Sequence, residues 1–348
     1  MNLNLDTTSR RLLAEIELRF PITHRPFAVV GQAVGIGEEE ALERVTQLKH
    51  QQAIRRISAL FDVRSLGYQT TLAAMRVDPA RATEAVRAVQ QHPGVLRIDR
   101  YQDVFNLWFT IAVPPSDSFD QTLAALQASA GASETLVLPI LQAYKTRKQM
   151  DVRGTVSAVE SGEDIYEHSA LAHPKPQLRS VDLALIRAFQ EELPLIEMPY
   201  VVLAEQAGVD EAELFAWAQE MEHQGLIRRM AAVPQHPASP ASSRLLAVWR
   251  VPEDEIDPIG QGIARLRHVE QCDHRPSYAQ WPYTLYTGIC GESHDECLKA
   301  VEHIEAEFGA FAHKNLVSLA TEQRERLIYF PAELERWWQH VEGRRPPS

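Results

Sequence analysis

Two stretches decide how this chain folds: VLRIDRYQDVFNLWFTIAV, residues 95–113, and VEQCDHRPSYAQWPYTLYTGICG, residues 269–291. Each follows a helix-like run, begins with Val and passes through mixed charges. Each then reaches a strand with alternating aromatics, residues 105–111 in one and 283–289 in the other. Working outward, Phe20-Pro21-Ile22 matches Leu193-Pro194-Leu195, Pro26-Phe27 matches Pro199-Tyr200, and Gly35 matches Gly208. Ile54-Arg55-Arg56-Ile57 matches Ile227-Arg228-Arg229-Met230. All four pairs lie 173 positions apart. Later landmarks drift to larger offsets, which implies small insertions in the second half. The chain is one unit of about 150 residues written twice.

Composition bounds the class. With 348 residues, 45% of them hydrophobic, the chain can bury substantial cores. No apolar run approaches the ~18 residues that a membrane span needs. The opening MNLNLDTTSRR lacks the apolar core of a secretory signal. The three cysteines, Cys272, Cys290 and Cys297, all fall in the second half without metal-ligand spacing. A reduced, cytoplasmic protein is the expectation. Net charge is −12 and uneven. Residues 1–150 carry 17 basic and 15 acidic side chains, the remainder 18 and 32. That balance argues against a general nucleic-acid binder.

In chain order, residues 9–20 place Leu12, Leu13, Ile16 and Phe20 at helical spacing, with Thr8 or Ser9 as N-cap. Pro26 opens a short second helix, Gly35-Ile36-Gly37 turns the chain, and residues 38–51 form a third helix. Residues 54–61 follow as a strand. Helix, helix, turn, helix, strand is the order of a winged helix-turn-helix. The second half repeats it over 181–233. The third helices carry Glu38, Glu39, Glu40 and Glu43, and Glu211, Glu213, Glu220 and Glu222. A helix that faces phosphates carries Lys and Arg instead, so these modules are expected to be structural or dimerising, with no DNA partner.

After each wing the pattern runs β-α-β-β-α-β, a ferredoxin-like α+β sandwich. The fold class is therefore α+β, a tandem duplication of winged helix-turn-helix plus ferredoxin-like sandwich. The expected domains are 1–66 and 67–150 for the first copy, a polar linker at 151–177, and 178–240 and 241–342 for the second. The last of these includes a tail with Arg336-Trp337-Trp338 that packs on the body. This combination resembles the Lrp/AsnC family of small regulators.

The motif set resembles something narrower. IRRISALFD, RSLGYQ, HPGV and FNLWFTIAV in the first copy, with LIRRMAAV, His236, AVWRVPE, CDHRPSY and WPYTLYTGICG in the second, are similar to the two halves of siroheme decarboxylases. These are Lrp/AsnC-like enzymes of haem d1 and alternative haem biosynthesis. The resemblance covers nearly the whole chain and fits a fusion of two subunit types. It implies a carbon–carbon lyase that removes the carboxyl groups of two acetate side chains of siroheme, giving 12,18-didecarboxysiroheme. It implies no cofactor beyond the iron tetrapyrrole substrate and no resident metal. Partner proteins of the same pathway are compatible with it. The duplication suggests an internal pseudo-dimer, and further association into a homo-oligomer through sheet faces is plausible.

The family's histidines are only partly matched. Where its first copy has a motif like T-H-N-Y, this chain has Leu96-Arg97-Ile98-Asp99, and before the aromatic strand it has Asp103-Val104-Phe105. The second-copy motif resembling S-H-C-Y is Glu270-Gln271-Cys272-Asp273, with a histidine displaced to His274. The family's wing histidine is matched by His236. The resemblance thus implies chemistry in the second copy and a scaffold role for the first.

A site for such a substrate needs Arg for carboxylates, apolar surface for the ring and a proton donor. His236 is the first candidate donor, since histidine titrates near neutral pH; the ordinary reading is a solvated loop residue. His274 with Arg275 is the second, as donor and carboxylate clamp. Arg55, Arg228 and Arg229 begin the wing strands, and alternation would put the two arginines of each pair on opposite faces. Arg64, Arg97 and Arg244 are further carboxylate contacts. Trp281 and Tyr283 could flank the ring or simply be sandwich core. Two other readings stay open: a duplicated regulator that binds a small effector, and a tetrapyrrole carrier without catalysis.

Overall fold

A computed structural model describes residues 5–63, 65–145, 178–234, 243–309, 311–323 and 331–342. In chain order the first copy contains α1 (Thr7–Leu18), α2 (Pro26–Val34), α3 (Glu38–His50), β1 (Ile54–Phe61), β2 (Gln69–Arg76), α4 (Ala82–Gln90), β3 (Val95–Tyr101), β4 (Leu107–Val113), α5 (Phe119–Ala130), β5 (Glu134–Leu138) and β6 (Gln142–Lys145). The second contains α6 (Ser180–Gln190), α7 (Pro199–Ala207), α8 (Glu211–His223), β7 (Ile227–Pro234), β8 (Ser243–Trp249), α9 (Ile256–Ile263), β9 (Val269–His274), β10 (Leu285–Gly291), α10 (His294–Phe308), β11 (His313–Leu316), β12 (Ser318–Gln323) and α11 (Pro331–Glu342). The expected element order is present in both copies. The linker expected at 151–177 lies outside the described residues.

The chain forms two compact units, and each takes material from both copies: Met1–Leu66 with Pro174–Pro240, and Gly67–His173 with Ala241–Ser348. The segments expected as separate helix-turn-helix domains, 1–66 and 178–240, thus contribute to one unit. The reason lies in the wings. Each copy supplies one strand there, and a lone strand leaves its N–H and C=O groups unpaired. β1 and β7 satisfy each other as a two-stranded antiparallel ribbon. Local signals behave as expected. Pro26 and Pro199 start α2 and α7, and Gly35 and Gly208 end them in the left-handed region at φ 84° and 73°. The N-cap of α1 is Asp6, ahead of the expected Thr8 or Ser9, accepting from the Ser9 N–H at 2.6 Å. Acidic residues of the third helices meet nearby basic side chains, as in Arg25–Glu38, Arg44–Glu40 and His24–Glu211.

The second unit holds two five-stranded sheets, ordered β12-β3-β4-β2-β5 and β11-β8-β10-β9-β6. Each copy sends its final strand to the other copy's sheet: β6 pairs with β9, and β12 with β3. The strand expected over 134–141 ends at Leu138, and β6 follows in the other sheet; the strand expected over 311–320 is divided into β11 and β12, which lie in different sheets. Alternation sorts the side chains. Leu107, Phe109, Ile111 and Val113 of β4 enter the core beneath α4 and α5, while Trp108 points the other way. Leu285 and Ile289 of β10 enter the core beneath α9 and α10, while Tyr286 joins Trp108 in a third core between the sheets. Each such buried side chain contributes about 1.5–3 kcal/mol.

Two further exchanges cross the repeat. The tail packs as expected: Leu334 and Trp337 of α11 complete the first-copy core, with Trp337 edge-on to His92 at 4.4 Å. Tyr144 of β6 packs into the second-copy core, and its hydroxyl donates to Asp257. Gly260 faces the Tyr144 ring so closely that a Cβ there would collide with it.

Candidate functional site

The wing ribbon of the first unit carries Arg55, Arg56, Arg228 and Arg229. Strict alternation does not hold there. The register skips Arg55, between Ile54↔Pro234 and Arg56↔Val233, and skips Arg228, between Leu60↔Arg229 and Phe61↔Ile227. Each arginine pair therefore sits on a β-bulge, at equivalent places in the two copies. The buried residues that bracket the pairs show the consequence. Ile54 and Ile57 are 2% and 1% exposed, and Ile227 and Met230 are 1% exposed each. Three residues apart, they return to one face only because of the extra residue, so both arginines of a pair turn away from it. The expected opposition within each pair is corrected by this bulge. Arg228 donates to Asp62 at 3.1 Å. Burial first, then repulsion from Arg228, lowers the Arg229 pKa below the ordinary arginine value, with Glu17 acting against both.

In the second unit, the 275–284 loop is a clasp laid across the first-copy sheet. Arg275 Nη1 donates to the Leu138 carbonyl at 2.5 Å, and the Tyr278 hydroxyl donates to the Val137 carbonyl at 2.7 Å. Gln280 donates to Glu134. The Trp281 ring lies 5.4 Å from Trp108 and 5.7 Å from Phe105, and its indole N–H donates to the Tyr286 hydroxyl at 2.8 Å. Trp281 is 1% exposed, so the structure places it in the core between the sheets; Tyr283, half-buried, stacks edge-on against it at 4.9 Å. The corresponding first-copy turn, between β3 and β4, is short, which accounts for the drift in repeat offset.

His274 and Arg275 do not act on one ligand as a pair, because they face opposite ways. His274 stands opposite Leu285, on the helix-covered face, whereas Asp273 stands opposite Tyr286, between the sheets. Arg275 shares the Asp273 side: its Nη2 donates to Asp273 at 3.2 Å, and its guanidinium lies 5.6 Å from the Tyr286 ring centre. It is 2% exposed, and its guanidinium is committed to partners within the protein. Burial lowers the His274 pKa, and Asp257 and Glu253 partly offset this.

Two carboxylates missed in the sequence are equivalent by this register: Asp99 opposite Trp108, and Asp273 opposite Tyr286. Arg97 grips Asp99 with both Nε and Nη2, at 2.6 and 3.1 Å, and Thr321 of β12 adds a third hydrogen bond at 2.6 Å. Gln271 takes the place of Arg97 on Asp273, at 2.6 Å. Arg97, expected as a substrate contact, thus holds an internal carboxylate. The charge signal Arg-Ile-Asp, two apart on a strand, was visible in the sequence. Arg244 is 3.6 Å from Glu270 at the surface. His236 and Arg64 lie outside the described residues. Among those described, no group of three or more His, Cys, Asp or Glu side chains could hold a metal ion, and no helix is long and apolar enough to cross a membrane. Burial raises the thiol pKa of Cys272, Cys290 and Cys297, and Cys290 reaches about 12.

Both halves match known domains. The profile of the AsnC-like ligand binding domain matches residues 65–145 and 242–321, and that of the siroheme decarboxylase NirDL-like HTH domain matches 9–55 and 182–228. A siroheme decarboxylase beta subunit of Desulfovibrio desulfuricans is 34% identical over 155 residues, 44% of this chain and 98% of the relative. The chain belongs to the siroheme decarboxylase family. A siroheme decarboxylase of Hydrogenobacter thermophilus is 28% identical over 332 residues, covering 95% of this chain and 97% of the relative. The crystal structure of the siroheme decarboxylase NirDL in complex with an iron-uroporphyrin III analogue superposes with a TM-score of 0.79 at 26% identity, covering 97% of this chain and 99% of that one. Members of this family therefore occur both as subunits about half this length and as chains that align with it end to end.

Proposed function

We propose that this chain decarboxylates siroheme, removing the carboxyl groups of two acetate side chains to give 12,18-didecarboxysiroheme in haem d1 biosynthesis. The observation that carries the reading is near-complete mutual coverage with a siroheme decarboxylase, both in sequence and in three dimensions. In each step the bond between the acetate methylene and its carboxylate breaks and carbon dioxide leaves. The electron pair stays on carbon, where the conjugated ring of the substrate delocalises it. A proton then completes the methyl group. The protein holds the other carboxylates, shields the reacting one and delivers the proton.

His236 is the proposed proton donor and His274 the second choice. Arg55, Arg64, Arg228, Arg229 and Arg244 are proposed carboxylate contacts. For Arg275, Arg97 and Trp281 the internal hydrogen bonds and burial support a positioning role, fixing the strands and the clasp of the second unit. Tyr283 at the clasp edge remains the aromatic proposed to meet the ring. No cofactor beyond the substrate is invoked. We place the protein in the cytoplasm as a homo-oligomer or as one part of a pathway assembly. Purified protein incubated with siroheme without oxygen, followed by mass spectrometry, tests the reading. Successive loss of two carbon dioxide masses supports it; an unchanged mass with an altered absorption spectrum would leave a carrier.

A further inference from the structure

In the first unit the helix-turn-helix modules of the two copies meet, and the backbone part of that junction is the same from either side. The Phe20 N–H donates to the Met230 carbonyl at 2.7 Å, and the equivalent Leu193 N–H donates to the Ile57 carbonyl at 2.8 Å. Such bonds would form equally well between two first copies or two second copies of different chains. The charges do not share this symmetry. Arg19 donates to Glu222 at 3.0 and 3.1 Å, and Lys49 pairs with Glu192. Residues 19 and 192 are equivalent in the repeat, as are 49 and 222, each 173 positions apart. The first copy is thus basic at both positions and the second acidic at both. Glu222 lies in the last turn of α8, where a helix end favours a cation; Lys49 suits the same place in α3. Helix energetics therefore do not account for this glutamate, whereas its partner across the junction does.

We propose that these charges form a pairing code: a first-copy module accepts a second-copy module and rejects its own kind. In a junction of two first copies, Arg19 would face Lys49 twice. In a junction of two second copies, Glu192 would face Glu222 twice. Arg25 with Glu197, at 2.7 Å, acts in the same sense, since 25 and 198 are arginine and methionine while 24 and 197 are histidine and glutamate. Arg228 with Asp62 and His24 with Glu211 carry no such preference, because 55 and 228 are both arginine and 38 and 211 both glutamate. A contact discriminates only when both of its positions change charge between the copies; otherwise what one like pairing gains the other loses. At the Arg19 and Lys49 contacts, replacing two cross junctions by one of each like kind turns four attractions into four repulsions. With about a factor of two for each exposed contact, gained or lost, cross pairing wins by about a hundredfold. The code governs which modules meet, within a chain or between chains, and is independent of the proposed chemistry.

The test exchanges one position of the code in the full chain. Arg19→Glu/Glu192→Arg keeps the net charge but makes both cross contacts repulsive and both like pairings attractive. Adding Lys49→Glu and Glu222→Lys reverses the whole set and restores the cross attraction. Parent and variants are refolded from denaturant at about 10 mM and about 1 M salt, where the screening length is about 30 and about 3 Å. Light scattering and thermal unfolding then follow mass and stability. The chain is held at about 0.1 mM, because a tethered partner acts at an effective concentration of about 1 mM. At low salt the exchanged variant should melt below the parent, and its intermolecular fraction should rise about tenfold. The fully reversed variant should match the parent in both, and high salt should erase the differences. A reversed variant no better than the exchanged one would overturn the code. So would an exchanged variant with parental mass and melting temperature, or one that loses stability without new association. If the exchanged variant does not fold at low salt, folding restored by salt or by full reversal supports the code, and folding restored by neither overturns it.

Discussion

Arg275 donates to the carbonyl oxygen of Leu138 at 2.5 Å across 137 residues of sequence, from the second copy of the repeat to the first. The same guanidinium reaches Asp273, two residues away, at 3.2 Å. One buried cation thus ties the clasp to both copies. It sits beside His274, whose own side chain points to the opposite side of the strand.

This arrangement makes Arg275 a stability residue. Arg275→Met would leave the Asp273 carboxylate, 1% exposed, without its cation. Breaking a buried ion pair from one side costs about 3–5 kcal/mol. Removing both charges in Asp273→Asn/Arg275→Met should cost less than the arginine change alone. Denaturant unfolding followed by tryptophan fluorescence measures both, and equal losses would show that the pair is not coupled.

The strand exchange can be probed at its tightest point. Gly260→Ala puts a methyl group against the Tyr144 ring. Overpacking of this kind costs about 1–3 kcal/mol. In a Tyr144→Ala background the same change should cost almost nothing, because the ring it meets is gone. A penalty that persists there would place the strain in α9 itself.

His274 should make stability depend on pH in a known direction. Burial lowers its folded-state pKa, so between that value and the unfolded value near 6.5 the unfolded chain binds more protons. Stability therefore rises with pH across this window and levels off above about 6.5. His274→Asn should flatten that part of the curve. Melting temperatures from pH 5 to 8 in parent and variant give the comparison, and parallel curves would remove His274 as the source.

For the chemistry, His236→Ala should lower turnover about 10²- to 10⁴-fold, the usual contribution of a general acid. Siroheme affinity, set by carboxylate and ring contacts, should change little. Single-turnover decarboxylation beside an absorbance titration separates the two effects. Unchanged turnover would pass the donor role to His274.

Much of this was legible in the residues. The 173-residue correspondence, the Pro and Gly that bound the second helices, and the aromatic strands predicted both copies and their element order. The wing bulges were legible too, in hindsight of register alone. Ile54 and Ile57, or Ile227 and Met230, stand three apart in a strand, and apolar residues with that spacing share a face only if one residue is extra. The facing of Cys272-Asp273-His274-Arg275 likewise follows from a period of two. Its contacts do not. Nothing in the sequence says that Arg275 ends on Leu138 or that Arg97 closes on Asp99.

By itself the sequence determined the repeat, the type of most elements and, where a strand runs without a bulge, which side chains share a face. These follow from local dihedral preferences and from the periods of helix and strand, which are written residue by residue. Only the tertiary structure decided which strand pairs with which. β1 with β7, β6 with β9 and β12 with β3 all cross between the copies. Backbone hydrogen bonds are the same for any partner. With two similar copies in one chain, each edge has two similar candidates, and the choice falls to packing. Tyr144 against Gly260, Trp337 against His92 and Trp281 against Trp108 exist only once both copies are folded together.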